Sequence, residues 1–131
     1  MIAIDTSALM AVVKNEPEAD RCAQVLLREP VLVISAGTLA EALIVAARQG
    51  VDAEMAHLIL GLQWDVAAVD EPAARRVADA YNRWGKGVHD ARLNLGDCFA
   101  YEVASRMRCP LLYVGNDFSK TDLVSALSGR P

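Results

Sequence analysis

Four carboxylates stand where structural acids are uncommon. Asp5 ends the apolar run Met1-Ile2-Ala3-Ile4, and Glu41 interrupts an otherwise apolar helical stretch. Asp97 opens another helix in Leu95-Gly96-Asp97-Cys98-Phe99-Ala100-Tyr101, and Asp117 follows the strand-like Leu111-Leu112-Tyr113-Val114. Hard oxygen donors drawn from element ends and one apolar face suit a single divalent-cation site. Each acid also has an ordinary reading. Asp5 suits the N-cap of the helix that follows it, Asp97 is favoured in a first helical turn by the macrodipole, and Asp117 beside Asn116 suits a turn. Glu41 is harder to explain this way, being the only charged residue from Ala36 to Ala47. A helix apolar on nearly every side is expected to be buried. An ionised carboxylate there needs a partner, either a buried arginine or a cation shared with the other acids.

The elements that must position these acids alternate between two periods. Residues 2–5 read as a buried strand and a helix begins near Ser7. Pro17 opens a second helix with Ala19, Cys22, Ala23, Leu26 and Leu27 at helical spacing. Pro30 ends it, and Val31-Leu32-Val33-Ile34 is a second buried strand. A third helix spans about 37–49 and stops at Gly50. The next carries Met55, Leu58, Ile59 and Leu62 on one face, and Trp64 to Val69 reads as a third strand. Glu71-Pro72 starts a helix with Ala74, Val77, Ala78, Tyr81 and Trp84 inward. A further helix runs from about Gly96 to Met107, burying Phe99, Ala100, Val103, Ala104 and Met107. Pro110 precedes a fourth strand, and Thr121 to Val124 forms a short fifth. Apolar strands alternating with amphipathic helices predict a mainly parallel four- to five-stranded sheet covered on both faces, a three-layer α/β/α sandwich. Ligands of such sheets gather beyond the carboxyl ends of the strands, where Asp5 and Asp117 both fall.

The 131 residues predict a single domain over 1–131 with a core of its own. Apolar stretches fall short of the ~18 residues a membrane span needs. Cys22, Cys98 and Cys109 are too scattered for a disulfide framework or a zinc site and read as reduced thiols of a cytoplasmic protein. The net charge of −4 argues at first against a nucleic-acid partner. Setting the four acids aside leaves 13 acids against 13 bases, a balance that permits one.

Other chemistry is thinly represented. His57 and His89 are isolated, which speaks against a zinc hydrolase. Cys98 has no histidine in a nucleophile context, and no serine-hydrolase elbow, phosphate loop or dinucleotide glycine pattern occurs. The segment from Arg83 to Arg92 gathers Arg83, Lys86, His89 and Arg92 just before Asp97. It reads either as a solvated loop or as a rim that contacts phosphates.

Ile4-Asp5-Thr6-Ser7-Ala8-Leu9, Glu41, Leu95-Gly96-Asp97-Cys98-Phe99-Ala100 and Gly115-Asn116-Asp117-Phe118 with Thr121-Asp122, in this order, resemble PIN-domain ribonucleases. Among these the resemblance is to the VapC toxins of bacterial type II toxin–antitoxin modules, and it spans nearly the whole chain. It implies a PIN-like α/β/α sandwich and an endoribonuclease dependent on Mg²⁺ or Mn²⁺, with RNA as substrate. It further implies inhibition by a VapB-type antitoxin and a homodimer or larger toxin–antitoxin complex. Asp5, Glu41, Asp97 and Asp117 match the family's acidic quartet, which serves both as metal ligands and as catalytic acids. Asp122 matches an additional acid, and Ser7 and Asn116 match polar positions near the site. The rival readings are a metal-dependent phosphohydrolase and a housekeeping RNA-processing nuclease. A haloacid-dehalogenase-like phosphatase wants Asp-x-Asp after the first strand, where this chain has Ser7.

Overall fold

The computed structural model describes residues 1–127. Four parallel strands form one sheet in the order β3-β2-β1-β4: β1 (Ile2–Ile4), β2 (Leu32–Ser35), β3 (Trp64–Ala67) and β4 (Leu111–Leu112). Ile2 pairs with Leu32 and Ala3 with Leu111, so β1 lies at the centre. Side chains of a strand alternate between faces, and the two resulting cores follow that alternation. Ile2, Ile4, Leu32 and Ile34 pack beneath α1 (Thr6–Val13), α2 (Ala19–Arg28), α3 (Ala36–Arg48) and α4 (Asp52–Gly61). Ala3, Val33, Leu111 and Tyr113 pack against α5 (Glu71–Trp84) and α6 (Leu95–Met107). The expected three layers are present, and no helix among the described residues is long and apolar enough to cross a membrane.

Several local expectations shift. The fifth strand reduces to one parallel bridge, Leu111 with Ser125, rather than a run over 121–124. β3 stops at Ala67 and leaves Asp65 and Val66 exposed, because it is an edge strand without a neighbour on its outer side. The buried stripe of α5 is Ala73, Val77, Ala80 and Trp84. Ala74 and Ala78 face solvent and Tyr81 is half-buried, since the spacing that brings Trp84 inward is set one residue earlier. Met107 is exposed at the end of α6. α3 is not buried all round: Leu43 and Ile44 are 48% and 56% exposed. Its covered side consists of Thr38, Ala42 and Ala46.

α6 holds an acid that sequence reasoning passed over. Glu102 is 3% exposed. Its Oε2 accepts from Arg76 Nε on α5 at 2.9 Å and from Arg106 Nε at 2.7 Å. A charge removed from water needs such partners, and this pair locks the α5–α6 layer.

Candidate active site

Each acid is delivered by the end of an element. Asp5 leaves β1 in extended conformation and caps α1, its Oδ2 accepting from Ser7 N at 3.1 Å and from Ser7 Oγ at 2.6 Å. Ser7 Oγ in turn accepts from Val114 N at 3.0 Å, which ties the exit of β4 to the start of α1. Asp97 occupies the third position of α6 in a capping box. Asn94 Oδ1 accepts from Asp97 N at 2.8 Å, and Asp97 Oδ2 accepts from Asn94 N at 3.0 Å. Glu41 Oε1 accepts from Thr6 Oγ1 at 2.7 Å. Asp117 sits exposed in the turn after β4, which Gly115 enters at a φ of +98° and which Phe118 anchors by packing on Tyr113.

Electrostatics identify these acids as one group. Asp5 is 5% exposed and its carboxyl is pushed up to about 6, first by burial and then by the charges of Glu41 and Asp117, while its bonds to Ser7 pull the other way. Asp97 is 8% exposed and is pushed up to about 7, again mainly by burial, then by Asp5, Asp117 and Glu41, against the opposing bond from Asn94. Among the described residues no lysine, arginine or histidine comes within ion-pair distance of any of the four. The acids share a field without closing on a point: no three carboxylate, histidine or cysteine side chains among the described residues stand at metal-ligand spacing. Asp5, Glu41 and Asp97 are each held by their own donor, Ser7, Thr6 and Asn94 respectively.

The remaining expected residues fall into place differently. Asn116 is exposed and its carbonyl, not its side chain, accepts from Ser119 Oγ. Asp122 accepts from Tyr101 Oη at 2.7 Å and lies 3.9 Å from Arg83, so its contacts are with α5 and α6 rather than with the quartet. Arg83 stacks on Trp84, 4.5 Å from the ring centroid. His89 Nδ1 accepts from Ala91 N at 2.9 Å and its ring meets Trp84 edge-on, so it shapes the loop. Lys86 and Arg92 are exposed on that loop. Cys98 is buried, and burial followed by the Asp97 charge pushes its thiol up to about 11, where it stays protonated. Two participants were missed, Thr6 and Asn94. The Asn-x-x-Asp spacing of a capping box announces the second; nothing in sequence announces that Thr6 reaches a residue on α3.

The PIN domain family matches residues 2–124 of this sequence. The chain is a PIN domain. Ribonuclease VapC30 of Mycobacterium tuberculosis is 37% identical to it over 125 residues, which cover 93% of this chain and 95% of that protein. Ribonuclease VapC36 of the same organism is 43% identical over 126 residues, covering 92% and 89%. This PIN domain therefore belongs with the VapC ribonucleases. Its fold superposes on Mycobacterium tuberculosis VapC20, described as a sarcin–ricin loop cleaving toxin, with a TM-score of 0.78 at 19% identity over 96% of this chain and 98% of the other. A toxin–antitoxin complex from Klebsiella pneumoniae gives 0.72 at 17% identity over 97% and 98%. At those identities the likeness concerns the fold.

Proposed function

We propose that this PIN domain is a divalent-metal-dependent endoribonuclease that acts as the toxin of a toxin–antitoxin pair. The observation that carries the reading is the pair Asp5 and Asp97, buried at the carboxyl edge of the sheet, raised mainly by that burial and by neighbouring acids, and without a basic partner among the described residues. An all-oxygen donor set of this kind fits Mg²⁺ or Mn²⁺. Asp5 and Asp97 would be the main ligands, completed by Glu41 and Asp117, with Ser7 and Asn94 orienting the first two. When bound, the cation would acidify the attacking water and neutralise charge at the phosphodiester.

The chain's own groups do the rest. Ser7 holds the Asp5 carboxylate and ties it to the β4 exit. The capping box fixes the rotamer of Asp97. Arg83 at the end of α5 and Lys86 and Arg92 on the loop leading into α6 are exposed and would contact RNA phosphates, which position the strand without reading its bases. The role of Asp122 is to hold Arg83 and Tyr101 beside that path. A VapB-type antitoxin and a second copy of the chain would cover exposed apolar side chains such as Leu27, Leu43, Ile44 and Leu60. The single domain would act in the cytoplasm, where its RNA substrate is.

The test is cleavage of cellular RNA with Mg²⁺ or Mn²⁺, with EDTA as control, followed by sequencing of the new ends. Metal-assisted attack by water leaves 5′-phosphates, and Asp5→Asn or Asp97→Asn abolishes cutting. Termini bearing 2′,3′-cyclic phosphate, or undiminished cutting in EDTA, would overturn the reading.

A further inference from the structure

Glu41 stands on α3, yet its carboxylate is seated by two other helices. Oε1 takes the hydroxyl proton of Thr6, the residue after Asp5, at 2.7 Å. The same hydroxyl lies 3.3 Å from the Thr38 carbonyl, and with one proton to give it serves the shorter contact. Oε2 occupies the space that a Cβ would take at Gly96, the residue before Asp97. A Cβ built on residue 96 would run into that oxygen, with Cδ at 2.7 Å and Oε1 at 3.0 Å. The carboxylate is thus bracketed by the chain neighbours of the two buried aspartates.

No backbone requirement explains a glycine at 96. Its φ is not in the left-handed region, and it lies in the first turn of α6, where alanine is the better helix former. One turn along, the same two helices make a second close approach. A Cβ on Gly37 would meet the Phe99 ring at 2.5 Å. That contact is with a packed aromatic; the one at Gly96 is with an acid of the site.

The geometry points to Gly96 as a positioning residue: its missing side chain is the seat of the Glu41 carboxylate and sets how near Glu41 comes to Asp5 and Asp97. This rests on the metal-nuclease reading above. Any side chain at 96 forces Glu41 to withdraw along α3, weakening the cation site while leaving the core intact.

The test uses the full chain, with Mn²⁺ binding measured by calorimetry without RNA and thermal melts in EDTA. Gly96→Ala is expected to melt no lower than wild type in EDTA yet to bind Mn²⁺ at least about tenfold more weakly, the scale of a lost supporting contact. Its kcat falls while KM for RNA is unchanged. In a Glu41→Ala background Gly96→Ala has no further effect, because the carboxylate it displaces is gone. Glu41→Asp, one methylene shorter, restores part of the affinity of Gly96→Ala. Gly37→Ala behaves oppositely, melting lower with Mn²⁺ affinity retained. Wild-type Mn²⁺ affinity in Gly96→Ala, additive effects with Glu41→Ala, or a melt as low as that of Gly37→Ala would each refute the seat. If Glu41→Ala and Asp97→Asn themselves bind Mn²⁺ normally, the metal reading fails and this inference falls with it.

Discussion

Asp97→Asn removes one negative charge and keeps the shape of the side chain, including an oxygen able to accept from Asn94 N. In the folded protein without metal, the Asp97 carboxyl is raised from 3.8 to about 7, with burial the largest cause. A group raised on folding contributes its full stability below its unfolded value and loses it as pH climbs through the folded value. Below pH 4 the acid is neutral in both states and wild type and variant should unfold alike. Between pH 4 and 7 the unfolded chain ionises first, and wild type falls behind. At ~1.36 kcal/mol per unit the gap approaches about 4 kcal/mol above pH 7, an upper bound. The amide is desolvated about as much as the neutral carboxyl it replaces, so the comparison at pH 4 sets the baseline for the gap at pH 8.

Asp97→Asn should therefore melt higher than wild type in EDTA at pH 8, by roughly 5 °C or more, and equally at pH 4. Divalent cation narrows the gap: at ten times its Kd it stabilises wild type by about 1.4 kcal/mol and leaves the variant unmoved. Melts followed by circular dichroism at four pH values, with and without Mg²⁺, give all three comparisons. A variant that melts below wild type at pH 8, or a gap that does not widen from pH 4 to 8, would refute the reasoning.

At sub-saturating Mg²⁺ the cleavage rate should fall as pH drops through about 7 and then about 6, the values to which Asp97 and Asp5 are raised in the metal-free protein, because protons compete with the cation for the carboxylates; a flat profile of single-turnover rate between pH 5 and 8 contradicts this. Glu102→Ala removes the common partner of Arg76 and Arg106 and should cost about 2–3 kcal/mol in urea unfolding, below the range for fully buried pairs because both arginines reach solvent, with Mn²⁺ affinity unchanged. Ser7→Ala cuts the bond between Asp5 and the β4 exit; cleavage should drop about 10–100-fold while the melting temperature moves by only a few degrees. Arg83→Ala should reduce RNA affinity and flatten its salt dependence, read by fluorescence anisotropy on an Asp97→Asn background that cannot cut.

Elements announced by a change of period were legible from the chain alone. Buried β-branched runs marked β1 and β2, and alternation with helices implied the parallel sheet that sets Asp5 and Asp117 on one edge. Features that depend on what lies opposite were not legible. Glu102 looks in sequence like an ordinary solvated helical acid; its burial follows from Arg76, 26 residues away on another helix. Leu43 and Ile44 look like core and are exposed, since sequence does not distinguish an apolar face meant for the interior from one open to a partner. Glu41 was singled out on the premise of a helix buried all round. The premise was wrong, and the acid proved to be seated by Thr6 and Gly96 instead.

The two treatments of buried acid in this one fold separate structure from chemistry. On α6, Glu102 and Asp97 lie little more than one turn apart and are both buried. Glu102 receives two guanidinium donors and stabilises the α5–α6 layer. Asp97 receives one backbone N–H and three acidic neighbours, an arrangement that costs the folded chain stability at neutral pH. Among the described residues no counter-charge reaches Asp97 or Asp5, a deficit that a divalent cation would fill, since one ion can answer several carboxylates at once. On the metal-nuclease reading proposed above, the stability lost at the quartet would be the complement of its affinity for metal, and a substitution that relieves the one should abolish the other.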